Sequence, residues 1–102
     1  MFYEVKLGEP RPDGLAFVVT AFGEPAGNDV LVGEAIRAIQ ALQLKGGHGI
    51  LFNGPASLPV AMALAHAVAH LYQFVGWFDP KLGRFVVVIS HAADVRPGDL
   101  LT

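Results

Sequence analysis

The sequence predicts an α/β (α+β) fold, one mixed β-sheet with two helices packed on it, in the element order ββαβαββ. Two observations lead there. Short apolar runs, His48–Phe52 (HGILF) and Phe74–Asp79 (FVGWFD), flank a long alanine-rich segment of helical character, which is the pattern of a βαβ unit with parallel strands and a right-handed crossover. Upstream, Val32, Ala35, Ile36, Ile39 and Leu42 recur at three- and four-residue spacing after two extended runs, so a helix follows a pair of strands.

Each element can be justified in turn. Phe2 to Leu7 alternates, with Tyr3, Val5 and Leu7 on one side and Phe2, Glu4 and Lys6 on the other, the signature of a half-buried strand. Gly8 to Gly14 holds two prolines and reads as a loop, and Leu15 to Thr20 reads as a second strand. After Gly23-Glu24-Pro25-Ala26-Gly27, Asn28 or Asp29 can cap the first helix, which should end at Gly46-Gly47. Ser57 is the expected N-cap of the second helix, and Pro59 suits its first turn. That helix, Leu58 to about Leu71, is apolar nearly all round and is expected to be buried. Pro80-Lys81-Leu82-Gly83 is a tight turn before the return strand Arg84–Ser90, and the tail from Ala92 is loop-like.

Composition narrows the classes. The 102 residues suit one domain spanning 1–102, and 53% of them are hydrophobic. So apolar a small chain is expected to bury surface against another copy. The net charge is −2 and the seven Lys and Arg residues are scattered, which argues against duplex DNA as a partner. With no cysteine, disulfides, thiolate metal sites and cysteine nucleophiles are excluded. The start lacks a basic segment followed by an apolar run, and the longest apolar stretch, Leu58 to Tyr72, is interrupted and short for a membrane span. A cytoplasmic globular domain is expected.

Chemistry concentrates in the second half. Asn53-Gly54-Pro55-Ala56-Ser57 joins a strand to a helix, an arrangement whose free N–H groups and helix dipole suit an anion. An ordinary connecting turn is the competing reading. His66 and His70 are four apart and share a helix face, while Asp79 and His91 sit at strand ends. Histidine and carboxylate together can bind a divalent metal or move protons. The zinc-protease reading of His66-x-x-x-His70 fails because position 67 is alanine, not the required glutamate. Phosphate-loop and dinucleotide fingerprints are absent, and Asp79-Pro80 has its own explanation as a turn starter. His48, between glycines, reads as structural or incidental, and Tyr3, Tyr72 and Trp77 read as core or interface.

Over residues 48–100, NGPASLP at 53–59, LAHAVAH at 64–70, FDPKLG at 78–83, ISH at 89–91 and Gly98-Asp99 together resemble one family. It is the third, manganese-dependent family of small CRISPR-associated ring nucleases, found beside type III CRISPR systems. The resemblance implies a ferredoxin-like sandwich related to Rossmann-type sensor domains and cleavage of cyclic tetra-adenylate, which ends a second-messenger response. It also implies action on RNA 3′ ends with manganese. It implies that His70 and Asp79 are catalytic, that His66 and His91 match histidines near them, and that the Gly54 turn cradles phosphate. This chain departs from relatives that carry arginine in that loop, where it has Asn53, Gly54 and Pro55. It also has Lys81 where some have arginine, and lysine grips phosphate without a bidentate fork.

Topology constrains how such a site is assembled. A helix antiparallel to its flanking strands leaves His70 near the start of strand 74–79 and Asp79 at its end, roughly 20 Å apart. Asp79 and Lys81 therefore share an edge with the Gly54–Ser57 turn, and His70 and His91 share the opposite one. The expectation is a metal-dependent phosphodiesterase acting on cyclic tetra-adenylate. Asn53, Gly54, Pro55, Ser57 and Lys81 would hold the ligand. His66, His70, His91 and Asp79 would hold Mn2+ or another divalent metal, and homodimers would stack head to tail into tetramers or filaments. A non-catalytic cyclic-oligoadenylate sensor and a structural metal-stapled oligomer are the alternatives.

Overall fold

A computed structural model describes all 102 residues. Eight elements follow in order: β1 (Tyr3–Leu7), β2 (Ala16–Phe22), α1 (Asn28–Ala41), β3 (Gly47–Asn53), α2 (Leu58–Ala69), β4 (Tyr72–Asp79), β5 (Arg84–Ser90) and β6 (Leu100–Leu101). The strands form one six-stranded sheet in chain order, β1-β2-β3-β4-β5-β6. β2, β3 and β4 are mutually parallel, and the outer pairs β1·β2, β4·β5 and β5·β6 are antiparallel. The mixed sheet, the two helices and the element order match the expected architecture, but a sheet in chain order with three consecutive parallel strands is not the interleaved antiparallel sheet of a ferredoxin-like sandwich. The chain is a compact unit with a 13.0 Å radius of gyration.

Sequential parallel strands fix where the helices go. Two crossovers of one hand that advance in the same direction across a sheet lie on the same face. Accordingly α1 and α2 share one apolar cluster with β1, β2, β3 and β4: Leu31, Ala35 and Ile39 from α1 and Val60, Leu64 and Val68 from α2 meet Val18, Ile50, Phe52 and Val75. Truncating a fully buried side chain there, Leu64→Ala for example, should cost about 2–5 kcal/mol.

The second core lies on the opposite face, where no helix packs. Leu51, Phe74, Phe85, Val87 and Val95 are buried together, with Leu15, Phe17, Ala92 and Leu101 around them. Phe17 of β2 and Phe85 of β5 meet edge to face at 5.9 Å, although two strands lie between them. The sheet therefore curls around this cluster. Covered on both faces, β3 buries Ile50, Leu51 and Phe52 completely, which explains its unbroken apolar run. Arg11, from the β1–β2 loop, closes this face: it lies 5.1 Å over the Phe85 ring, bonds Asp13 at 2.7 Å and donates to the Thr102 carbonyl at 2.7 Å.

Several expectations are corrected. Helix α1 is capped by Gly27 without a side-chain bond and ends at Ala41, and its buried stripe begins at Leu31 rather than Val32. β2 and β4 are longer than read, because β2 continues to Phe22 against β1 and β4 begins at Tyr72. The tail is not all loop, since Leu100–Leu101 pairs with Phe85 and Val86 as β6. Most consequentially, α2 is not buried all round. Leu58 and Met62 are 81% and 72% exposed, because the helix packs against α1 and β4 and nothing covers its outer flank. No helix is long and apolar enough to cross a membrane.

Candidate functional site

The turn between β3 and α2 is held from inside by three strands. Two of its carbonyls are occupied: the Tyr3 hydroxyl donates to the Pro55 oxygen at 2.6 Å, Thr20 Oγ1 donates to the same oxygen at 3.1 Å, and Trp77 Nε1 donates to the Gly54 oxygen at 3.1 Å. Burial pushes the Tyr3 phenol above its ordinary value, with Thr20 acting in the opposite direction, so the hydroxyl stays a neutral donor. Gly54 has φ +135°, and a Cβ there would run into the Thr20 carbonyl. Glycine is needed at this position for packing within the fold, a reason separate from ligand approach.

Past the turn, Ser57 caps α2 as expected by accepting the Val60 N–H at 3.3 Å. Its hydroxyl hydrogen is still available to donate outward. The N–H groups of Gly54, Ala56 and Ser57 donate to no group in the chain. Asn53 and Pro55 are exposed.

Asp79 and Lys81 lie at this same end. The register pairs Phe52 with Trp77 in parallel, so the strands finish together at Asn53 and Asp79. One Asp79 oxygen starts the β4–β5 turn, accepting from the Lys81 N–H at 2.8 Å and the Leu82 N–H at 3.3 Å. Its other oxygen takes no part in the turn. Lys81 is exposed and forms no ion pair. Trp77, Asp79, Lys81 and Val86 line a shallow depression of about 630 Å³ beside the turn.

The histidines occupy the opposite end. His70 is the C-cap of α2, immediately before β4, and the His91 N–H donates to the Gln73 carbonyl at 2.7 Å near the start of β4. From Tyr72 to Asp79 the strand spans roughly 23 Å, so one protomer keeps His70 and Asp79 apart. His66 and His70 are together, with ring centroids 5.5 Å apart and planes nearly perpendicular. His48 bridges Gln73 at 3.3 Å and Asp94 at 3.2 Å.

No three His, Asp or Glu side chains are grouped closely enough to hold a metal ion. Within one chain the four expected ligands thus fall into a histidine pair, a separate His91 and a distant Asp79. These residues do not close a manganese shell in a protomer, where oxygen donors are also preferred.

A family model described as CRISPR-associated protein (Cas_csx3) matches residues 26–102, from the entry to α1 through β6. The chain belongs to the Csx3 family of CRISPR-associated proteins. No curated protein matches it. The Csx3 match takes in both strand ends, from the Asn53–Ser57 turn to His91, and leaves out the β1–β2 hairpin that supplies Tyr3 and Thr20. Those two residues and Trp77 are what the residue pattern did not assign to a site. A hydroxyl inside an apolar strand, as at Thr20, was the one available signal, because a buried hydroxyl requires a partner.

Proposed function

We propose that this Csx3 protein is a phosphodiesterase that opens cyclic tetra-adenylate, with its active site shared between stacked molecules. The observation that carries the reading is the division of chemistry between the two ends of β4. At one end lie unpaired backbone donors, the Ser57 hydroxyl and the free cation of Lys81, all suited to phosphate. At the other lies the His66–His70 pair, suited to moving a proton. Neither end alone is a phosphodiesterase site.

Head-to-tail stacking of homodimers sets the two ends against each other with the ligand between them. The turn and Lys81 of one molecule hold phosphate oxygens, and His70 of the other gives or takes a proton at the scissile phosphate. The free Asp79 oxygen orients the attacking hydroxyl. A divalent ion would be held between the His66–His70 pair and Asp79 of the stacked molecule, where it would offset charge on the phosphate.

The test is to incubate the protein with cyclic tri-, tetra- and hexa-adenylate, with and without manganese, and to separate the products. Linear products from the tetramer support the proposal. Tight binding with no turnover in any condition would replace it with a sensor.

A further inference from the structure

We infer that Tyr3 and Thr20 are positioning residues that aim the Ala56 N–H of the β3–α2 turn at an anionic group of the ligand, with Trp77 capping the carbonyl of the peptide before it. The inference rests on the proposed reading of that turn as the phosphate-holding end. In a planar trans peptide the C=O and N–H point in opposite directions. The Pro55 oxygen is drawn inward by Tyr3 and Thr20, so the N–H of the same peptide group, which belongs to Ala56, is turned outward. It has no acceptor in the chain.

Charge follows the same logic. The preceding peptide offers no N–H, because its nitrogen is that of Pro55, and its Gly54 oxygen is taken by Trp77. Both carbonyl dipoles that could repel a phosphate are therefore capped from within. The pins are themselves fixed. Tyr3 and Thr20 are 1% and 7% exposed, and the Trp77 ring stacks on the fully buried Phe52 at 4.8 Å with an 8° interplanar angle. Tyr3 and Thr20 come from the hairpin outside the family match, so this support is a feature of the present chain's β1 and β2.

The experiment uses the intact protein and isosteric variants: Tyr3→Phe, Thr20→Val, their double variant, and Thr20→Ser as the conservative control. Residual dipolar couplings of the Ala56 N–H report its direction without ligand, and Leu64 serves as a core reference. Cyclic tetra-adenylate is then titrated against each protein, following the Ala56 amide resonance. The double variant should change the Ala56 coupling, leave Leu64 unchanged, and lose about tenfold in affinity, the scale of one or two hydrogen bonds. Thr20→Ser should behave as the parent.

Couplings unchanged in the double variant would overturn the positioning role. So would a changed coupling with undiminished affinity. A parent Ala56 amide that ignores saturating ligand would instead overturn the phosphate-holding reading, while the couplings would still show whether the pins set the turn.

Discussion

The two ends of the parallel strands are built on opposite plans. At the end where β3 and β4 finish, the proposed binding groups are backbone amides of a turn whose Gly54 and Pro55 carbonyls are held by side chains of three strands. At the end where β4 starts, the groups are exposed imidazoles carried by the last turn of α2 and by the residue after β5. The first plan gives a rigid cradle with little reorganisation on binding. The second gives side chains that can rotate to meet a ligand. The difference teaches that neither end is a smaller copy of the other, and that each lacks what the other supplies.

The largest expected effect comes from breaking the rigid end. Gly54→Val forces a branched residue into φ +135° and against the Thr20 carbonyl, so it should destabilise the fold by about 2 kcal/mol or more as well as abolish ligand binding. Urea unfolding with parallel binding measurements checks both. A fully stable Gly54→Val protein would show that the turn is not pinned as described.

A smaller effect is expected from Lys81→Ala. The residue sits in an exposed turn without an ion pair, so stability should not change. Affinity for cyclic tetra-adenylate should fall a few-fold at low salt and converge with the parent at high salt, as for any screened charge. Binding isotherms at two ionic strengths decide this. Equal affinity at both would remove Lys81 from the site.

The smallest effect is one of pH. Glu34 of α1 accepts the Phe2 N–H at 2.9 Å and the Tyr3 N–H at 3.3 Å. The Phe2 bond, more than any other contact, holds its carboxyl below the ordinary value of 4.5. A carboxylate with a depressed folded-state value stabilises the fold above its unfolded value, and that support is lost as pH falls through the lower folded one. Acid should therefore loosen β1, and with it the Tyr3 pin, before it affects the core. Glu34→Gln should be slightly less stable than the parent at neutral pH and equal to it in acid. Thermal melts from pH 7 to pH 3 check the convergence.

How far the sequence reveals these two ends differs for a physical reason. Local spacing sufficed for the βαβ unit, the Ser57 cap, the Asp79 turn and the placement of His70 and Asp79 at opposite ends, because each depends on near neighbours. The curl that joins Phe17 to Phe85, the β6 pairing of Leu100–Leu101 and the pins on Gly54 and Pro55 depend on partners fourteen or more residues away. Such partners leave no periodic trace. Helix α2 misled for a related reason: an apolar composition reports what could be buried, and its outer flank has no partner within the chain. His66 and Met62 face a groove there with Trp77 and Val88.

The central claim is that one active site needs both ends, drawn from different molecules. Complementation tests it most directly. His70→Ala and Asp79→Ala are purified separately, shown to fold and to bind cyclic tetra-adenylate, and assayed alone and as an equimolar mixture across a dilution series. Each variant alone should be nearly inactive. The mixture should recover a fraction of parental turnover that grows with protein concentration, because some stacked contacts then contain both residues. No recovery at any concentration would contradict a shared site and return His70 and Asp79 to separate roles.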